Sequence, residues 1–175
     1  RNNKPALNSL DYHKYVCIYN SRNQRIEIEY YGKDGELTSY NNDKYAIQKD
    51  EYDERGYIVR TSYYGKDKQL VVSNEGWASS TREYDVLGNV LKQSFFGIDG
   101  KPTDPKVMVP EGLCRYDRWG NRIYLAAGDG KGHLIINPKT GWSIQKSEYN
   151  SRGKLLLEAY FDEIVYAPWT TTGER

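Results

Sequence analysis

Short runs in which apolar and polar positions alternate recur along the chain: Ile26, Ile28, Tyr30; Val59, Thr61, Tyr63; Leu91, Gln93, Phe95; Ile123, Leu125, Ala127; and Leu156, Glu158, Tyr160. A period of two with β-branched and aromatic residues on one face predicts half-buried strands. No segment sustains a helical period, so the chain reads as all-β. Each run follows a tyrosine and a turn: Tyr19-Asn20-Ser21-Arg22-Asn23, Tyr52-Asp53-Glu54-Arg55-Gly56, Tyr84-Asp85-Val86-Leu87-Gly88, Tyr116-Asp117-Arg118-Trp119-Gly120 and Tyr149-Asn150-Ser151-Arg152-Gly153. These anchor tyrosines are spaced by 33, 32, 32 and 33 residues. Asp or Asn in first place, with glycine three residues later, matches a type I turn followed by a left-handed residue, so a hairpin closes at each anchor.

Other positions keep step with the anchor. Eleven and twelve residues after it stands an aromatic pair, Tyr30-Tyr31, Tyr63-Tyr64, Phe95-Phe96 and Tyr160-Phe161, with Ala127-Gly128 as the exception. Four residues further lies the glycine of a second turn, Gly35, Gly100 or Gly132, replaced by Lys68 in the second repeat. Leu70-Val71-Val72 and Leu134-Ile135-Ile136 then read as a short third strand. Seven residues before the anchor stands a leading aromatic, Tyr12, Tyr45, Trp77 or Trp142, with Val109 as the exception. Both exceptions fall between the third and fourth anchors, where the stack is expected to be least regular. The expected architecture is a set of about five tandem antiparallel β-hairpin repeats of 32–33 residues, forming a meander or β-solenoid-like stack. One repeat domain would occupy residues 11–165, with an N-terminal cap or tail at 1–10 and a C-terminal tail at 166–175.

Composition narrows the function. Only 38% of residues are hydrophobic, and 17 Tyr, 4 Trp and 3 Phe against 1 Met make aromatics the source of apolar bulk. Rings with polar tips tolerate half-burial and suit thin sheets. Charge is balanced, 25 Lys plus Arg against 24 Asp plus Glu, without a run of five or more like charges, which argues against a nucleic-acid partner. Nothing approaches the ~18–20 apolar residues of a membrane span, so no membrane insertion is expected of these residues. The chain opens at Arg1 and reads as a fragment or processed product.

The only histidines, His13 and His133, fall at different phases of the repeat, and no clustered His/Cys set suggests a transition metal. The turn aspartates Asp53, Asp85 and Asp117 supply one carboxylate each, short of the roughly 6–8 oxygens calcium takes, and read as turn caps. Carboxylates such as Glu27, Glu29, Glu51 and Glu83 are abundant but form no motif, and neither a G-x-S-x-G elbow nor a phosphate-binding glycine loop occurs. A catalytic site needs different residues converging once, whereas a repeat offers the same ones several times. No enzyme, metal or cofactor is expected. Cys17 and Cys114 hold the same phase three repeats apart, at least ~14 Å in a linear stack. A disulfide needs Cα atoms within about 7 Å, so two free thiols are expected.

The aromatics remain. If the alternating face is core, the second member of each pair, Tyr31, Tyr64, Phe96 and Phe161, points the other way and forms a row. Covered by the third strand or by the leading aromatics, the row makes a second thin core. Open, it stacks on sugar rings or cationic head groups. The candidate ligand-binding residues are Trp77, Trp142, Tyr45, Tyr64 and Phe96, lining one groove shared between hairpins.

Tyr84-Asp85-Val86-Leu87-Gly88-Asn89 and Tyr116-Asp117-Arg118-Trp119-Gly120-Asn121 resemble the tyrosine-aspartate (YD, Rhs-type) repeats of large bacterial surface and toxin-associated proteins. Gly76-Trp77 and Gly141-Trp142, with the later aromatic pair and the Asp-Gly turn, look like the aromatic hairpins of choline- and glucan-binding cell-wall repeats. The resemblance spans roughly residues 11 to 165 and implies a bacterial surface or secreted protein built from stacked hairpins. On this reading the chain is a non-catalytic binding or adhesion module for carbohydrate or cell wall. The alternatives are a structural spacer or shell within a longer polypeptide, and a protein-interaction module that pairs through an open sheet edge.

Overall fold

The structure is a computed structural model that describes residues 4–104 and 106–162. It is all-β: β1 (Lys14–Tyr19), β2 (Arg25–Tyr31), β3 (Ile47–Tyr52), β4 (Ile58–Tyr64), β5 (Ser79–Tyr84), β6 (Val90–Phe96), β7 (Glu111–Tyr116), β8 (Arg122–Gly128), β9 (Ile144–Tyr149) and β10 (Leu155–Phe161). Every described pairing is antiparallel and joins sequence neighbours, which makes a meander of hairpins. The described residues fall into two compact units that divide at Thr81/Arg82, with Phe96–Lys101 belonging to the first and Arg82–Phe95 to the second. Residues 163–175, which include the expected C-terminal tail, lie outside the described residues.

Each anchor turn is held by its Asx side chain. The Asp117 Oδ1 accepts from the amides of Trp119 at 2.9 Å and Asn121 at 3.0 Å, and Asn20, Asp85 and Asn150 serve their own turns in the same way. Gly120 takes φ 83°, and the register shifts by one residue between Arg115 and Tyr116. That is a type I turn closed by a left-handed residue and a bulge. Asn23 fills the same place at φ 59° in the first repeat, which asparagine tolerates.

The expected third strand is reduced to one bridge per repeat, Tyr31 to Leu37, Tyr64 to Leu70 and Gly128 to Leu134. Competition for the strand edge is the reason. The Tyr30 carbonyl accepts from Thr38, but the Tyr30 amide already donates to Ala46 O, where the next repeat begins. The returning segment therefore makes one bond and turns away. A third turn, closed by Tyr40 N to Tyr45 O or Ser73 N to Trp77 O, delivers the leading aromatic. The N-terminal segment contributes the same turn, with Asn8 N donating to Tyr12 O, so it caps the first repeat.

In the first unit the leading aromatic and the first member of each pair share one face. Their rings alternate as rungs of a ladder: Tyr12 to Tyr30 at 5.1 Å, Tyr30 to Tyr45 at 6.3 Å, Tyr45 to Tyr63 at 4.3 Å and Tyr63 to Trp77 at 4.6 Å. Ile28 lies beneath. Burial pushes the Tyr30 hydroxyl up to about 12, and the neighbouring Tyr40 adds to this. In the second unit Leu113, Ala126 and Ile144 form a core on the opposite face, joined by Phe161 and by Leu134 from the returning segment. A second thin core is thus present there. The leading aromatics do not cover it, because they sit on the ladder face. Cys17 and Cys114 are both free, and burial pushes the Cys114 thiol up.

Candidate ligand-binding slot

The ladder positions of the second unit run Phe95, Val109, Ala127, Trp142 and Tyr160. Trp142 and Tyr160 pack at 5.5 Å as the repeat prescribes. Between Phe95 and Trp142 two consecutive rungs are missing, because Val109 stands for the leading aromatic and Ala127 for the first member of the pair. The hairpin partner of Ala127 is Gly112, where other repeats carry Tyr15 opposite Tyr30 and Gln48 opposite Tyr63. A Cβ added at Gly112 would meet nothing within 4 Å. Three adjoining ladder-face positions are therefore small at once, and a cavity of about 220 Å³ opens there.

Strand order fixes its walls. Phe95 on β6 and the turn carrying Trp142 ahead of β9 stand three strand spacings apart, ~14 Å. Gly112 on β7 and Leu125 and Ala127 on β8 make the floor. Met108 and Val109 close one side, and Asn137 and Lys139 stand beside Trp142. Asn137 ties that turn down: its amide donates to Trp142 O, its carbonyl accepts from Gly141, and its Oδ1 accepts from Lys139 N at 2.9 Å. The lining is mainly apolar. The volume falls below the ~300–1,000 Å³ of drug-sized pockets, so the space suits a single ring-sized group.

The opposite face braces the slot. Glu111 is buried on β7, 2.8 Å from Lys92 Nζ, and accepts from Ser94 Oγ at 3.3 Å. The hydrogen bond to Glu111 holds the Lys92 ammonium above its ordinary range against an opposing effect of burial. Lys92 and Ser94 both lie on β6, so this buried charge pair fixes how β6 meets β7. Gly128 follows from it: a Cβ there would lie 3.0 Å from the Glu111 carboxylate and 3.3 Å from its Cβ.

Of the five residues expected to bind, only Trp142 lines the slot. Tyr45 and Trp77 are buried at 7% and 4% exposure, their faces packed on Tyr63. Tyr64 and Phe96 lie half-buried on the other face, with the Lys49 ammonium 5.4 Å from the Tyr64 ring centre. Within the first unit Tyr45 and Trp77 occupy the face opposite Tyr64 and Phe96, so these four do not line one groove. The slot residues missed in the sequence are Phe95, Val109, Gly112 and Ala127. Their signal was the double exception to the repeat between the third and fourth anchors.

Among the described residues no three His, Cys, Asp or Glu side chains cluster as metal ligands, and no helix is long and apolar enough to cross a membrane. No protein-family model matches the chain, and a search of characterised proteins finds no significant relative.

Proposed function

We propose that this chain is a non-catalytic carbohydrate-binding module of a bacterial surface or secreted protein. The carrying observation is the pair of missing rungs at Val109 and Ala127, which leaves an aromatic-walled slot between Phe95 and Trp142. A sugar presents flat C–H faces that stack on such rings, and the slot takes one ring of a polymer whose remainder stays in solvent. Asn137 and Lys139 supply polar groups beside Trp142 for its hydroxyls. The tyrosine-aspartate anchor turns support the bacterial surface setting through their resemblance to YD repeats.

The test is retention of the full chain on purified bacterial cell walls and a panel of immobilised glycans. Ala127→Phe puts back a ring that the repeat normally carries, so it blocks the slot without removing any packing. Trp142→Ala removes a wall. Wild-type retention that both changes abolish is the expected result, and retention unchanged by both overturns the proposal. The spacer reading draws on the burial of Tyr45 and Trp77, whose rings serve the core. It takes precedence if the wild-type chain is retained on none of these surfaces.

A further inference from the structure

Among the described residues β1 bonds only to β2, and β10 only to β9. Each therefore presents one open edge, and natural sheets usually blunt such edges with charge or proline. Each of these two edges carries a single charge, Lys14 on β1 and Glu158 on β10, beside exposed apolar residues. Val16 and Ile18 on β1 are 39% and 41% exposed and Leu157 on β10 is 47% exposed, all on the face opposite the ladder, and Leu155, 45% exposed, stands across the bulge beside Tyr149.

The chain itself shows what such edges join. Where one repeat meets the next, Glu27 stands opposite Lys49, Arg60 opposite Thr81, Lys92 opposite Leu113 and Tyr124 opposite Lys146. The position on the outgoing strand is the one Leu157 holds in β10, and that on the incoming strand is the one Val16 holds in β1. Each described joint has at least one polar member at this place, and Glu27 and Lys49 form an ion pair at 3.1 Å. Only the open edges carry an apolar residue on both sides. The backbone is equally complementary. At each joint the amide of the first aromatic of the pair donates to the residue after the next leading aromatic: Tyr30 to Ala46, Tyr63 to Ala78, Phe95 to Pro110 and Ala127 to Ser143. The corresponding groups at the open edges are the Tyr160 amide and the His13 carbonyl. Tyr160, 53% exposed at the last rung, is matched by Tyr12 at the first.

We infer that β10 of one molecule pairs with β1 of a second copy, in the register that joins successive repeats within the chain. Leu157 then faces Val16 of the other copy, Tyr160 N bonds His13 O, and the ladder continues from Tyr160 to Tyr12. The contact is heterologous, so each copy keeps a free edge and association grows by addition. This inference is independent of the slot.

Sedimentation velocity of the full chain over a wide concentration range tests it, with three variants that copy the internal Glu27–Lys49 pair. Val16→Lys or Leu157→Glu alone places a charge opposite an apolar residue, and each weakens association at least tenfold. The double variant Val16→Lys/Leu157→Glu restores most of the affinity and makes it salt-sensitive. Both sites are exposed, so folding is retained, and circular dichroism checks it. A chain that stays monomeric at every concentration overturns the inference, including one whose Glu158 and Tyr160 amides resist hydrogen exchange because residues 163–175 cover them. So does association that survives both single changes, or a double variant no better than either single.

Discussion

Ala127→Phe asks whether the slot is a vacant rung. The Ala127 side chain shares the ladder face with Gly112 opposite, where nothing lies within 4 Å of an added Cβ, so a ring at 127 has room across its strand partner. Relative to alanine the ring buries on the order of 100 Å² of extra apolar surface, worth about 2.5 kcal/mol at ~25 cal/mol/Å². Fixing the side chain and imperfect fit in a cavity shaped without it offset about 1–2 kcal/mol. The expected net gain is about 1 kcal/mol, a rise in Tm of about 2–4 °C for a chain of this size. Urea unfolding followed by tryptophan fluorescence measures it, with Tyr63→Ala as the contrast. That change deletes a filled rung between Tyr45 and Trp77 and should cost about 3 kcal/mol or more. A loss above about 1 kcal/mol for Ala127→Phe would mean that the floor is closed to a ring, refuting the vacant-rung argument.

The hydrogen bond donated by the Asn121 side chain, followed by those from the backbone amides of Asn121 and Trp119, holds the Asp117 carboxyl below its usual range. The stability this turn gains is therefore full above the ordinary aspartate value of ~3.9 and lost as pH falls through the lower folded value. NMR shifts of the Trp119 and Asn121 amides should titrate with a midpoint below that of a free aspartate, and Asp117→Asn should abolish the titration while keeping the turn, as Asn20 and Asn150 do. Asp50 is buried and accepts from Thr61 Oγ1 at 2.9 Å and Gln48 Nε2 at 2.9 Å, with Arg25 at 3.6 Å. Asp50→Ala should lower the unfolding free energy by about 2–4 kcal/mol, because it strands buried donors, and a loss under about 1 kcal/mol in urea would contradict that role. Lys68 holds φ 62° where three other repeats have glycine, so Lys68→Gly should raise stability by up to ~1 kcal/mol, and a measurable loss would count against strain there.

The hairpins were legible in the sequence because their chemistry is local. An Asx side chain, a left-handed glycine and an alternating strand all lie within about a dozen residues of the anchor. The third strand was misread because Leu70-Val71-Val72 has strand composition, whereas its pairing depends on an edge that the following repeat takes first. The same limit hid the ladder. That Tyr45 and Tyr63 share a face depends on a third turn whose residues differ from repeat to repeat, Asn8, Tyr40, Ser73 and Asn137 opening it in turn. Without that turn, the leading aromatics were free to sit on either face, and the candidate site gathered residues from both. The exceptions Val109 and Ala127 were visible as irregularities, but that they adjoin Gly112 is a matter of register across β7 and β8.

Whether the slot is a decayed rung or a built one turns on what replaced the aromatics. Random loss from a repeat admits polar and bulky residues alike, whereas Val109 and Ala127 stand for the aromatics and Gly112 takes the facing position that holds Tyr15 or Gln48 in other repeats. Val109, Gly112 and Ala127 each reduce volume on the same face, and a glycine within a strand is itself unfavourable by roughly 0.5–1 kcal/mol relative to alanine. The void is also stiffened. The buried Glu111 with Lys92 and Ser94 secures the strands beneath it, Gly128 is fitted to Glu111, and Asn137 closes the turn that holds Trp142. A decaying repeat has no reason to brace its own defect. Three small residues that forgo core packing, set between two aromatic walls and on a charge-locked floor, fit a position where ring stacking was given up so that another ring can enter.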